Sequence, residues 1–161
     1  MILAFKKNFN GKPTRFDDKI EAAFYPKSHR GIHPKYHSIR SDENDRWKRG
    51  REIHMAYGVR TKNYSCFNLI PCTGTQRIFM TYAYNDIIEI SVDGHELFGY
   101  HERLALARND GFDSWEEFFE WFYPVITNSK DGCFSGKLVH WTNHRYLKGL
   151  WTKDVIQNQD Q

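Results

Sequence analysis

Lys35-Tyr36-His37-Ser38-Ile39-Arg40 brings an amine, a hydroxyl and a guanidinium within six residues, types that together can move a proton. Read as a strand, alternation puts Tyr36, Ser38 and Arg40 on one face and His37 and Ile39 on the other. Lys35 therefore begins on the opposite side from Ser38. It joins Ser38 only if the turn at Pro34 or a bulge rotates it, or if its long side chain wraps round the strand end. A lysine so placed can accept the serine proton once desolvation and Arg40 lower its pKa. The plainer alternative has Lys35 and Arg40 flanking an exposed strand, with Ser38 an ordinary polar position.

Arg46, Trp47, Lys48, Arg49 and Arg51 form a second candidate. Cations interleaved with an aromatic ring can hold phosphate while a base stacks. The competing reading makes Trp47 a core anchor and the cations its solvated neighbours, and for Trp47 that reading is preferred. Residues 27–62 hold ten Lys or Arg against four acids, whereas residues 85–123 hold ten acids against Arg103 and Arg108, so the segments carry +6 and −8. A block of one sign is either a solvated face or an anion site. Of the eight histidines, His33 and His37, and also His140 and His144, are four apart, but on strands and loops that spacing makes no helical zinc pair. They read as ordinary loop and surface histidines, and no metal is expected. GxGxxG and GxxxxGK[ST] are absent, and no cofactor is indicated.

The elements that must position these groups follow from patterning. Ile2 to Phe5 reads as a strand. Thr14-Arg15-Phe16-Asp17 has capping-box spacing ahead of a helix with Phe16, Ile20, Ala23 and Phe24 on one face, ending before Pro26. Residues 26–34 are a loop, and Lys35 to Ser41 is a strand. Strands are expected from Glu52 to Val59, Cys66 to Ile70, Arg77 to Tyr84 and Ile87 to Val92, with turns at Gly50, Pro71, Gly74 and Asn85-Asp86. Asp93-Gly94 marks a tight turn into Glu96 to Tyr100. Glu102 to Arg108 is helical. Asp113-Ser114-Trp115-Glu116 opens a further helix with Trp115, Phe118, Phe119 and Phe122 in the core, closed by Pro124. Lys137 to Thr142 is the last strand, and a polar tail runs from Asp154. Six or seven short, mostly consecutive strands with three helices predict an α+β fold built on an antiparallel barrel or curled sheet.

At 161 residues the chain fits one domain, and 40% hydrophobic with 16% aromatic content supplies a core, which excludes global disorder. No apolar run is long enough to span a bilayer, and Cys66, Cys72 and Cys133 form no CxxC pair. A soluble, cytoplasmic protein without a disulfide framework is expected.

The Lys35 to Arg40 stretch, Arg46-Trp47, Gly50 and Asp110-Gly111-Phe112-Asp113-Ser114-Trp115-Glu116-Glu117-Phe118 resemble an ASCH domain, across roughly residues 1 to 146. In the family motif Gly-x-Lys-x-x-Glu-x-Arg, Lys35 and Arg40 fall on the basic positions, Ser38 replaces the Glu and His33 the Gly. The resemblance implies a PUA-like β-barrel with helices beside a cleft, and RNA or a nucleotide-like molecule as partner. One branch, the small bacterial N4-acetylcytidine amidohydrolases, has Thr at the Ser38 position. Its Lys, Thr and Glu catalytic set would fall on Lys35, Ser38 and Asp110 here. Asp110 would then orient the lysine or handle the leaving amine's proton. The resemblance thus implies a module binding RNA or a nucleoside in a cleft lined by Lys35, Ser38, Arg40 and Asp110. The alternatives are an amidohydrolase on an N4-acylated cytidine, a ribonuclease, or an adaptor docking through the acidic helix 113–123.

Overall fold

A computed structural model describes residues 1–82 and 87–147. Tyr84, the Asn85-Asp86 turn and the polar tail from Asp154 lie outside the described residues. Within them the fold is α+β, with three α-helices and mostly antiparallel sheets. The strands are β1 (Ile2–Phe5), β2 (Asn8–Phe9), β3 (Lys12–Pro13), β4 (His37–Arg40), β5 (Glu52–Tyr57), β6 (Ser65–Pro71), β7 (Gly74–Thr81), β8 (Glu89–Val92), β9 (His95–Glu96) and β10 (Cys133–His140). A five-stranded antiparallel sheet has the order β4-β10-β7-β8-β9, and a three-stranded sheet the order β1-β5-β6. β1 runs parallel to β5, while β2 and β3 form a separate ribbon. No helix among the described residues is long and apolar enough to cross a membrane.

The alternating runs bury the faces their patterns assign. In β5, Ile53, Met55 and Tyr57 point into a cluster with Leu3, Phe5, Phe16, Ile20, Trp47, Val139 and Trp141. Trp47 is therefore a core anchor. A second cluster gathers Ile39, Ile78, Met80, Ile90, Leu106, Phe112, Phe118, Phe122 and Leu138. Leu138 and Val139 are neighbours in β10 yet belong to different clusters, so this part of the sheet is covered on both faces. β4 pairs with β10 and shares that cover, which is why His37, Ser38 and Ile39 are all buried. Trp121 packs against both clusters.

Three local expectations are corrected. α1 (Phe16–Phe24) starts behind Arg15, whose φ is 53°, and has no side-chain cap. The Thr14 hydroxyl instead donates to the carbonyls of Lys6 and Lys7, at 2.6 and 3.2 Å. α3 (Trp115–Thr127) is capped one residue later than expected: Ser114 Oγ accepts from the Glu117 amide, and Glu117 accepts from the Asp113 amide. Nor does Pro124 close α3, which continues to Thr127. A proline removes one N–H donor but leaves its own carbonyl, which here accepts from the Asn128 amide at 3.0 Å.

α2 (Tyr100–Asn109) ends where expected, and its ending positions the site. The Phe112 amide donates to Ala107 O and the Gly111 amide to Arg108 O, the two bonds of a Schellman motif. Gly111 carries φ +99°, and a Cβ there would stand 2.8 Å from the Phe16 ring and 2.9 Å from Lys35 Cδ. Only glycine lets the turn press so closely on the lysine.

Candidate functional site

Lys35 precedes the strand instead of lying in it. Its amide donates to Lys19 O, the next amide donates to Asn109 O, and its carbonyl accepts from Trp141 Nε1 at 3.1 Å. These bonds fix the turn after Pro34 and release the side chain from strand alternation. Lys35 and Ser38, on opposite sides of an ideal strand, therefore both line one cleft of about 220 Å3. Arg40 and Asp110 line it as well. Its walls are largely aromatic, from Phe5, Phe16, Phe112, Trp121 and Phe122, drawn from both core clusters.

Lys35 is 1% exposed and Asp110 4%. Lys35 Nζ donates to the Asp110 backbone carbonyl and lies 3.4 Å from Asp110 Oδ1. That oxygen also accepts from the Ile39 amide at 2.9 Å and meets His37 Nδ1 at 3.2 Å. A carboxylate at a helix C-terminus opposes the helix dipole, so a cation bound there offsets an unfavourable placement. Burial drives Lys35 down to about 8, against the pull of Asp110. Burial alone would raise the Asp110 carboxyl, but Lys35, His37 and Arg40 outweigh it and hold it below the usual range. The lysine therefore changes charge not far above neutrality beside an anion fixed by three donors.

The Arg40 guanidinium sits 5.3 Å over the Phe5 ring and donates to Ala4 O at 2.6 Å. Its Nε is buried with no partner among the described residues. Lys6 lies 5.0 Å over the Trp121 ring, at the same cleft.

The other basic candidates are elsewhere. Arg46, Lys48, Arg49 and Arg51 are exposed and do not line the cleft. Their loop is held by Asp42, which accepts from the amides of Arg46 (2.7 Å) and Trp47 (2.9 Å) and pairs with Lys137 at 3.0 Å. The acidic helix is partly engaged within the chain, since Asp113 pairs with Lys19 at 2.8 Å and Glu120 accepts from Asn10.

The histidines require a larger correction. His37 and His140 are fully buried, facing each other across the β4–β10 pair with rings 5.4 Å apart. His144 lies 6.4 Å from His140 and stacks on Tyr36 at 4.9 Å. Burial holds His37 and His140 below the ordinary histidine value and brings His144 down to about 4. Both ring nitrogens of His140 lack partners among the described residues. No group of three or more potential ligands suited to a metal occurs among the described residues. The burial of His37 had a sequence signal, because it shares a strand face with Ile39. Tyr146, whose hydroxyl meets His37 Nε2 at 2.6 Å from 109 positions away, had none. Buried Lys19 follows from spacing, since it lies three residues from Phe16 on the same side of α1.

No protein-family model, curated protein or solved structure matches this chain.

Proposed function

We propose that the chain is an ASCH-type domain, its sheets forming a PUA-like barrel, that binds RNA or a nucleoside-like ligand in the cleft. The observation that carries this reading is the convergence of Lys35, Ser38, Arg40 and Asp110 on one aromatic-walled cavity. Flat walls suit a nucleobase by stacking, and Arg40 at the cleft wall offers positive charge to a phosphate. A volume of about 220 Å3 is small for a ligand cleft, so a bound strand would place no more than one residue there. Calorimetric titration with cytidine, N4-acetylcytidine and a short single-stranded RNA tests this. Saturable binding that Arg40→Ala weakens at least tenfold is expected. Binding to none of the three probes, at low ionic strength, overturns it.

The position of Lys35 favours one further reading, an amidohydrolase on an N4-acylated cytidine. In its neutral form Lys35 takes the proton as the Ser38 hydroxyl, or a water it orients, attacks the acyl carbon. The carbon–nitrogen bond breaks, the leaving amine takes that proton, and water completes release of the acid. Turnover of N4-acetylcytidine, followed by chromatography, should rise with pH through about 8 as Lys35 loses its proton. Ser38→Ala and Lys35→Ala should each abolish it, and together cost little more than either alone. Turnover unaffected by Ser38→Ala contradicts these roles, and its absence leaves the binding module.

A further inference from the structure

From the cleft a run of polar groups, buried at Asp110, His37, Tyr146 and Asn109, leads to the exposed His33. Asp110 Oδ1 meets His37 Nδ1 at 3.2 Å, and His37 Nε2 meets the Tyr146 hydroxyl at 2.6 Å. That hydroxyl accepts from Asn109 Nδ2 at 3.0 Å, while Asn109 Oδ1 meets His33 Nε2 at 3.1 Å. The directions of these bonds are linked. An ionised carboxylate only accepts, so the contact with Asp110 is a hydrogen bond only in the tautomer that carries the hydrogen on Nδ1. The other nitrogen of a neutral imidazole then only accepts, and Tyr146 must donate to it. Asn109 donates to that phenol oxygen, which is consistent with the phenol hydrogen pointing at His37.

We propose that His37 is a positioning residue for the cleft, its Nδ1–H fixing the Asp110 carboxylate beneath Lys35, with Tyr146 and Asn109 selecting the tautomer that makes this possible. The proposal rests on the reading of Lys35, Ser38 and Asp110 as the working face of the cleft. It assigns a purpose to a polar chain that core packing alone does not need. Asp110 Oδ1 is shared among Lys35, His37 and the Ile39 amide, so losing the histidine donor frees the carboxylate to turn from Lys35. Asp110 is the foremost group keeping Lys35 charged against its burial. A displaced carboxylate therefore lets Lys35 lose its proton at lower pH. The other charged groups facing Lys35, namely Arg40 and Lys19, act in the same downward direction and stay in place. His37 itself is faced by Asp110, Lys35 and Tyr146, with the rings of His140 and His144 beside it.

Two near-isosteric variants separate positioning from packing. His37→Asn places an amide donor close to the lost Nδ1–H, and His37→Gln places its amide nearer the lost Nε2. The measurement is the titration of the Lys35 side chain by heteronuclear NMR in the full chain, with the His37 tautomer read in the wild type. The wild type should show neutral His37 with the hydrogen on Nδ1, and Lys35 titrating near 8. His37→Asn should retain that midpoint, and His37→Gln should shift it downward. Equal shifts in both variants, no shift in either, or a wild-type hydrogen on Nε2 overturn the proposal. If His37→Gln does not fold, Tyr146→Phe decides: a mixed tautomer with a lowered Lys35 midpoint supports positioning, and an unchanged tautomer refutes it. No ligand is used, so failure to bind N4-acetylcytidine would count against the functional reading without touching this result.

Discussion

The cleft and the loop from Asp42 to Arg51 are both rich in cations in the sequence, and the fold treats them oppositely. In the cleft, Lys35 is buried against Asp110, 75 positions away, and its affinity for a proton is altered. On the loop, Lys48 pairs with Asp45 three residues away at 3.1 Å, with both side chains about two-thirds exposed. Water screens the second pair and not the first. Charge density along a chain thus locates a field, whereas desolvation decides which charge becomes reactive.

That contrast is broken most severely at Asp110. Asp110→Asn leaves Lys35 buried without its counter-charge, a loss expected to cost about 3–5 kcal/mol, measurable by urea denaturation. Gly111→Ala forces an L-residue into φ +99° and a Cβ against Phe16 and Lys35. Strain and overpacking together should cost about 2–3 kcal/mol, measured the same way. Lys35→Met sharpens the contrast through pH. The folded protein binds fewer protons at Lys35 than the unfolded chain between about 8 and 10.5, so wild-type stability should gain from this group as pH rises through that window. The Met variant should lack that gain in paired denaturation curves. At the other extreme, Arg46→Ala, Lys48→Ala and Arg49→Ala should each change stability by no more than about 0.5 kcal/mol. If RNA crosses the loop, the three together should still flatten the salt dependence of binding, by roughly 0.7 in log–log slope per lost contact.

What the sequence revealed of this arrangement was its local part. The turn signals at Pro34, Gly50, Asp93-Gly94 and Asp110-Gly111 each mark a residue whose backbone conformation is dictated by its own type. Alternation in β5 and the aromatic face of α3 likewise follow from period alone. Two capping expectations failed for different reasons: Thr14 gives its hydroxyl to the carbonyls of Lys6 and Lys7, while at α3 the Ser114 side chain, one residue after Asp113, accepts from the first turn. The histidines were misjudged because their burial is set by the pairing of β4 with β10, about a hundred residues apart, and by cover on both faces of that pair. The Tyr146 and Asn109 contacts to the site come through the same long-range closure, which leaves no mark at short spacing.

The central claim is that the desolvated cleft, and not the solvated basic loop, is where a nucleoside-like ligand binds. Backbone amide NMR of the wild type titrated with N4-acetylcytidine tests it directly. The account predicts saturable shifts concentrated at Phe5, Phe16, Ser38 to Arg40, Asp110 and Phe112, all at the cleft. Shifts confined to Arg46 to Arg51, or no shifts at saturating ligand, would contradict it.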